Sequence, residues 1–409
     1  MTDTPHDETA APLGSATQLR LDLRNPAHGA CTDEERAARA ELAAAVEPGA
    51  VHIARSVSAV GPVDTLVALR RGAPGKLDKD RRVQRRLRYV DGGRILKQTV
   101  EAGSRLVCPG DAEWPPSFTE LEVELQSGMH SVPPPFGLWL RGAAELPGLA
   151  ERAVAIVGAR AATSYGRSVA SELAGGLAAD GWTVVSGGAY GIDGAAHRGA
   201  LAAGRPTIAV LACGVDIAYP RGHTELLGRI MADGLLVTER PPGATPSRPG
   251  FLKRNRLIAG LTAGTVVVEA ARRSGAISTA EWAAQLQRPV GVVPGPVTSA
   301  MSAGCHRLAR EANAMLVTNA GEVAELVGVL GGDAAPDNRE PNHVLDDLPH
   351  DQRDIYEAMP GSGTTTVDEL CRATGLTARQ CLAALAALAY ADLITRTPQG
   401  WAIDRSKQT

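Results

Sequence analysis

Between residues 153 and 317 the chain alternates seven short, β-branched apolar runs with stretches of helical character, a pattern that admits few architectures. The runs cover residues 154–157, 183–186, 207–212, 235–238, 265–268, 290–293 and 315–317. Most are continuously apolar, as strands covered on both faces are. Strands separated by helices pair in parallel, because a parallel connection must cross the whole sheet. The predicted class is α/β, with a doubly wound parallel sheet.

Open sheets of this kind bind ligands beyond the carboxyl ends of their strands. Here the first run leads into Gly158, Ala159 and Arg160, then Thr163, Ser164, Tyr165 and Gly166. The second leads into Ser186, Gly187, Gly188, Ala189, Tyr190, Gly191, Ile192 and Asp193. Glycines admit positive φ and close approach, and N–H groups at a helix start favour an anion, so two such loops suit a phosphate. Ser274 and Gly275, ahead of the helix containing Thr279, offer a third site. A glycine after a strand is also a common turn, so each loop alone is a weak signal.

The chain has neither a G-x-x-x-x-G-K-[ST] loop nor a G-x-G-x-x-G fingerprint, which argues against a P-loop ATPase and a dinucleotide enzyme. Asp193 and His197, one helical turn apart, suit an acid/base pair, although a histidine that orients its helix gives the same spacing. Glu269 ends a strand, where it suits a ribose contact, a catalytic base or an arginine partner. No cluster has metal-ligand spacing, so neither metal nor cofactor is expected.

The stretch F-L-K-R-N-R-L-I-A-G-L from Phe251 to Leu261 joins a polar, cationic cluster to an apolar helical run. Lys253, Arg254 and Arg256 bring charge, Asn255 both donates and accepts, and Phe251 offers a flat ring. Phosphates need cations and unpaired bases need a stacking surface, so the stretch suits a strand of nucleic acid; a solvated basic turn gives the same string. Residues 151–330 hold 17 Lys plus Arg against 13 Asp plus Glu, whereas residues 331–409 hold 7 against 12. The middle of the chain is therefore the better polyanion binder.

At 409 residues the chain is long enough for two or three domains. Residues 1–30 read as a disordered tail and 31–107 as a mainly helical region, with helices near 33–46 (capped by Thr32 or Asp33) and 63–70 and a basic block over 76–88. Residues 108–330 read as the sheet domain with its lead-in segment. Proline over 108–142 predicts an ordered connector without regular structure, packing its tryptophans on the sheet domain. An acidic linker is expected over 331–348 and a small domain over 349–409. There, helices near 350–359, 366–374 and 377–390 precede a hairpin over 393–403, which resembles a winged helix-turn-helix. Its third helix carries only Arg379 as a cation, so a protein contact or autoregulation suits it better than groove reading. The six cysteines are far apart with no C-x-x-C pair, and neither a secretory signal nor a run of about 20 apolar residues is present. These features predict a cytoplasmic protein with reduced thiols and no membrane contact.

In order, Val157-Gly158-Ala159-Arg160, Ser164-Tyr165-Gly166, Ser186-Gly187-Gly188, Gly191-Ile192-Asp193, His197, Tyr219-Pro220, the Phe251 stretch, Val268-Glu269-Ala270, Ser274-Gly275 and Val293-Pro294-Gly295 resemble the DNA-processing protein A (DprA, also called Smf) family. Trp114-Pro115 and the segment 138–142 resemble its lead-in. The resemblance covers roughly residues 108–327. It implies an extended Rossmann-like core without enzymatic activity, which binds single-stranded DNA, forms a homodimer and loads the RecA recombinase in natural transformation. It further implies that Arg160 and the first two loops form a phosphate pocket, with Arg248 as the basic residue before Phe251. Phe251 would pack on the strand, and Arg254, Asn255 and Arg256 would hold the pocket together or reach phosphates. Two positions depart from the family pattern: Tyr190 replaces an arginine and Gly188 a leucine. The competing enzyme class, a Rossmann-fold nucleotide phosphoribohydrolase, needs a P-G-G-x-G-T-x-x-E segment that residues 269–279 lack.

Overall fold

The computed structural model describes residues 30–72, 81–128, 132–328 and 348–404. The chain divides into two compact units, Met1–Ala335 and Pro336–Thr409. Residues 1–29 of the expected tail, 76–80 of the basic block and 331–347 of the expected linker lie outside the described residues.

The first unit is built on a nine-stranded sheet. Its strands are β1 (Arg105–Val107), β2 (Leu138–Arg141), β3 (Ala153–Val157), β4 (Thr183–Ser186), β5 (Thr207–Val210), β6 (Leu235–Thr238), β7 (Gly264–Val267), β8 (Val290–Val292) and β9 (Met315–Leu316), in the spatial order β1-β2-β6-β5-β4-β3-β7-β8-β9. From β6 to β9 every pair is parallel, with Val154 opposite Val184 on one side and Ala155 opposite Thr265 on the other. All seven predicted runs are strands of this sheet. The continuously apolar ones are buried along their whole length, because helices cover both faces.

Among the described residues, five helices precede the sheet: α1 (Asp33–Ala45), α2 (Val51–Val60), α3 (Pro62–Arg71), α4 (Arg82–Leu87) and α5 (Gly92–Glu101). Among them, α1 starts on a capping box in which Thr32 and Glu35 satisfy each other's N–H groups. Between and after the strands run α6 (Pro116–Ser127), α7 (Leu146–Ala150), α8 (Ser164–Ala179), α9 (Ile192–Ala202), α10 (Thr224–Asp233), α11 (Arg248–Leu261), α12 (Gly275–Gln285), α13 (Ala303–Glu311) and α14 (Ala320–Val327).

Side chains alternate along β3, and the core divides accordingly. Ala153, Ala155 and Val157 pack with Phe118 of α6, Leu257 and Ile258 of α11 and Ile277 of α12. Val154 and Ile156 pack with Leu173 and Leu177 of α8, Ile192 of α9 and Val323 of α14.

The expected connector over 108–142 is corrected by the structure. It contains α6, twelve residues long, and β2, which pairs antiparallel with both β1 and β6. Pro116 sits at the start of α6, where the absent N–H has no intrahelical partner to lose. Trp139 of β2 is fully buried, and its Nε1–H donates to Thr99 Oγ1 at 2.8 Å. Burial of a large apolar side chain contributes about 1.5–3 kcal/mol, so β2 is fixed by its side chains as well as by its ladder.

The second unit holds α15 (His350–Ala358), α16 (Val367–Thr374) and α17 (Ala378–Tyr390), followed by the hairpin β10 (Ile394–Thr397) and β11 (Gly400–Ile403). Capping boxes start α16 at Thr366 and Glu369 and α17 at Thr377 and Gln380. Three helices and a wing make this a winged helix around Ile355, Leu370, Leu385 and Leu388.

Candidate nucleic-acid interface

The connections run from β3 through β4 and β5 to β6 on one side, then return to β7 on the other side of β3. The strand order therefore reverses between β3 and β7, and at such a point the flanking loops diverge and leave a crevice. A cleft of about 950 Å³ opens there, lined by residues 157–161 after β3, by 271–275 before α12 and by the start of α11.

Two helix N-termini face this cleft. Ser247 caps α11, accepting from the Gly250 N–H at 3.2 Å, and Ser274 caps α12, accepting from the Ala276 N–H at 3.3 Å. Each leaves backbone N–H groups and the positive end of a helix dipole directed to the same space, a setting that favours anions. Arg248, Phe251, Leu252, Asn255 and Ile258 all line the cleft, a spacing of three and four residues that marks one face of α11.

Charge and stacking surface meet on this face. The Arg160 guanidinium lies 4.7 Å from the centroid of Phe251, and Tyr219 lies 5.5 Å from the same ring, inclined by 36°. Arg248, Arg272 and Arg273 are exposed cleft residues without an ion-pair partner among the described residues. Arg307 completes the basic lining and lies 3.8 Å from Glu281. The other lining carboxylate, Asp193, is buried and accepts from the N–H groups of Gly187 and Ala189 at 3.1 and 3.4 Å.

The sequence-predicted residues divide into two groups. Gly158, Arg160, Arg248, Phe251, Arg254, Asn255, Ser274 and Gly275 line the cleft. Ser186, Gly187, Gly188, Tyr190, Lys253 and Arg256 do not. In the second glycine loop, Asp193 already takes the amides of Gly187 and Ala189. The Ser186 hydroxyl donates to Ile156 O at 2.6 Å, and Gly188 O lies 3.0 Å from His223 Nδ1. Lys253 is exposed on another face of α11, with its side chain against Gly49.

Three polar residues of the α11 cluster act inside the protein. Arg254 is buried and donates through Nη1 to Gly187 O at 2.9 Å and to Val210 O, holding the ends of β4 and β5 together. Burial lowers its pKa to about 10, against the pull of Asp193, so it stays charged at neutral pH. Burial also raises the Asp193 pKa, which Arg254 opposes. Asn255 Nδ2 donates to Gly275 O at 3.1 Å and fixes the start of α12. Arg256 is ion-paired with Glu239 in the interior. Sequence reasoning missed Tyr219, Ser247, Arg272, Arg273 and Arg307 as lining residues. The helical phase from Ser247 and the Arg-Arg pair before a serine cap were the signals that could have found several of them.

The profile of the DNA recombination-mediator protein A family matches residues 105–328, and that of the DprA winged helix domain matches residues 339–400. The chain belongs to the DNA recombination-mediator protein A family. A DNA processing protein DprA of Mycobacterium tuberculosis is 46% identical over 380 residues, which cover 91% of this chain and 96% of that protein. The Smf protein of Escherichia coli is 35% identical over 274 residues, covering 65% of this chain and 71% of its own length. The X-ray structure of DNA processing protein A from Streptococcus pneumoniae matches with a TM-score of 0.58 at 29% identity, covering 71% of this chain and 96% of that one.

Within this DprA-type core, the groups that suggested acid/base chemistry have other tasks. His197 Nδ1 lies 2.9 Å from Thr207 Oγ1, fully buried, and burial lowers its pKa to about 3, so it is neutral and separate from Asp193. Glu269 accepts from Thr163 N–H and Oγ1–H at 2.9 and 2.6 Å, holding the turn into α8 instead of an arginine or a ligand. The phosphoribohydrolase reading is not favoured. At the position where the family pattern has arginine, Tyr190 is exposed; its hydroxyl accepts from Gly222 N–H at 3.1 Å, and its ring meets His223 edge-on at 4.7 Å. No helix among the described residues is long and apolar enough to cross a membrane.

Proposed function

We propose that this protein binds single-stranded DNA in the cleft between β3 and β7, without catalysing a reaction, and delivers the strand to the RecA recombinase during DNA processing in natural transformation. The observation that carries the reading is the face made by Arg160, Tyr219, Arg248 and Phe251 beside two helix N-termini. Phosphates meet the guanidinium groups and helix starts, while an unstacked base meets the aromatic shelf. Neither contact reads base identity, so binding is sequence-tolerant. Delivery to RecA rests on the family's description as a recombination mediator.

A homodimer and a cytoplasmic location belong to the same proposal. The edge strand β9 exposes Met315 and Leu316 by 59% and 61%. An apolar sheet edge in water favours a second copy of the chain as its cover.

The test is fluorescence anisotropy with labelled oligo-dT and a matched duplex, titrated across salt. Preference for the single strand is expected. Phe251→Ala should remove a stacking contact of about 1–3 kcal/mol. Arg248→Ala should flatten the salt slope by about 0.7. Equal affinity for both DNA forms, or no response to either substitution, would reject the proposal. Release of free base from nucleoside monophosphates would restore the enzymatic reading.

A further inference from the structure

Two cysteines ten residues apart meet in the winged helix. Cys371 lies in α16 and Cys381 in the first turn of α17, and the Cys371 thiol is directed at Cys381 Sγ across 3.2 Å. Cys381 is fully buried beside Leu385 and Leu388, whereas Cys371 is only half-buried, at the border of that core. A disulfide needs a sulfur separation of about 2.05 Å, so roughly 1 Å of movement closes the gap.

We propose that Cys371 and Cys381 form a reversible redox site in which a hydroperoxide oxidises the accessible thiol and the buried one resolves it to a disulfide. The Cys371 thiolate attacks the peroxide oxygen and becomes a sulfenic acid, releasing hydroxide. Cys381 sulfur then attacks the Cys371 sulfur. The S–OH bond breaks, and the departing hydroxide takes the Cys381 proton as water. Two thiols and one hydrogen peroxide thus give one disulfide and two waters. Cys371 is the more accessible of the two thiols, so it meets the peroxide first. The bond ties α16 to α17 across the turn at Gly375 and fixes the exposed side of α17, which carries Leu382 and Tyr390. Reduction by a dithiol restores the original state, as suits a sensing bond in a reducing compartment.

The full-length protein, treated with stoichiometric hydrogen peroxide and alkylated, is digested with trypsin without reduction. Cleavage after Arg353, Arg372, Arg379 and Arg396 places the two cysteines on separate peptides, residues 354–372 and 380–396. The expected product is these peptides joined, two hydrogens lighter than their sum, and released by dithiothreitol. Cys371→Ser should abolish the product while leaving the thermal transition of the reduced protein in place. Over-oxidation of Cys371 without a cross-link would overturn the proposal. So would a cross-link confined to other cysteines, or one that appears only in denaturant.

Discussion

The arginines of α11 differ in role, and the pair formed by Arg256 and Glu239 tests that division most directly. Arg256 is 2% exposed and Glu239 8%, beside Pro48, Gly49 and Pro134 and away from the cleft. Glu239→Gln leaves a buried guanidinium without a counter-charge, and Arg256→Met leaves a buried carboxylate. Each should cost about 3–5 kcal/mol, a change of more than about a hundredfold in the folding equilibrium. The pair is incompletely satisfied, since Glu239 Oε1 and Arg256 Nε are buried without hydrogen-bond partners. Its net gain over an uncharged replacement is therefore small, and the double variant should recover most of the loss. Urea unfolding of the wild type, both single variants and the double variant closes the cycle. The DNA readout is the second arm: Arg256→Met, measured where it is folded, should keep the wild-type salt slope, whereas Arg248→Ala flattens it. Additive losses in the cycle, single losses below about 1 kcal/mol, or a flattened slope in Arg256→Met would refute the reasoning.

Acid should destabilise the protein through His197, whose folded pKa of about 3 lies below the ordinary histidine value of 6.5 that it regains on unfolding. The unfolded chain binds the proton first, so stability is complete above pH 6.5 and falls as pH drops towards 3, by about 2 kcal/mol between pH 7 and 5. Urea unfolding should give a shallower pH dependence for His197→Gln; equal slopes would sink the assignment. Gly191 has φ +80°, and a Cβ there would collide with the carbonyl oxygens of Ala159 and Arg160. Gly191→Ala should therefore displace the first cleft loop and weaken oligo-dT binding at least tenfold, and unchanged binding would contradict that. Tyr190→Arg restores the cation of the family pattern and should tighten binding and steepen the salt slope by about 0.7; unchanged affinity would remove this position from the DNA path.

The sheet was legible because buried strands leave a continuous apolar trace, as most of the seven runs from β3 to β9 do, β9 being an exposed edge. β1 and β2 escaped because Arg105 and Arg141 interrupt their apolar runs and the prolines over residues 115–116 and 133–135 read as irregular chain. The helix α6 escaped because Pro115 and Pro116 read as breakers, although proline is compatible with a helix start. In the site, the residue types were visible but their directions were not. The string from Phe251 to Leu261 presents three cations in four positions, yet 100° of helical rotation per residue sends them to different places. Lys253 reaches an outer face, while Arg254 turns towards Gly187 and Arg256 towards Glu239.

What charge composition cannot reveal is which cations are already committed. Arg254 and Arg256 count fully in the +4 surplus of residues 151–330, yet both are enclosed. The exposed cations of the cleft come instead from Arg160, Arg248, Arg272 and Arg273, on three separate segments that the fold brings together. Asp193 shows the converse case. Its buried carboxylate accepts from the Gly187 and Ala189 amides of the second glycine loop, so that loop is shaped from within, and the helix starts that face the cleft are those of α11 and α12. The salt dependence of binding should therefore follow the exposed arginines and remain insensitive to the buried ones.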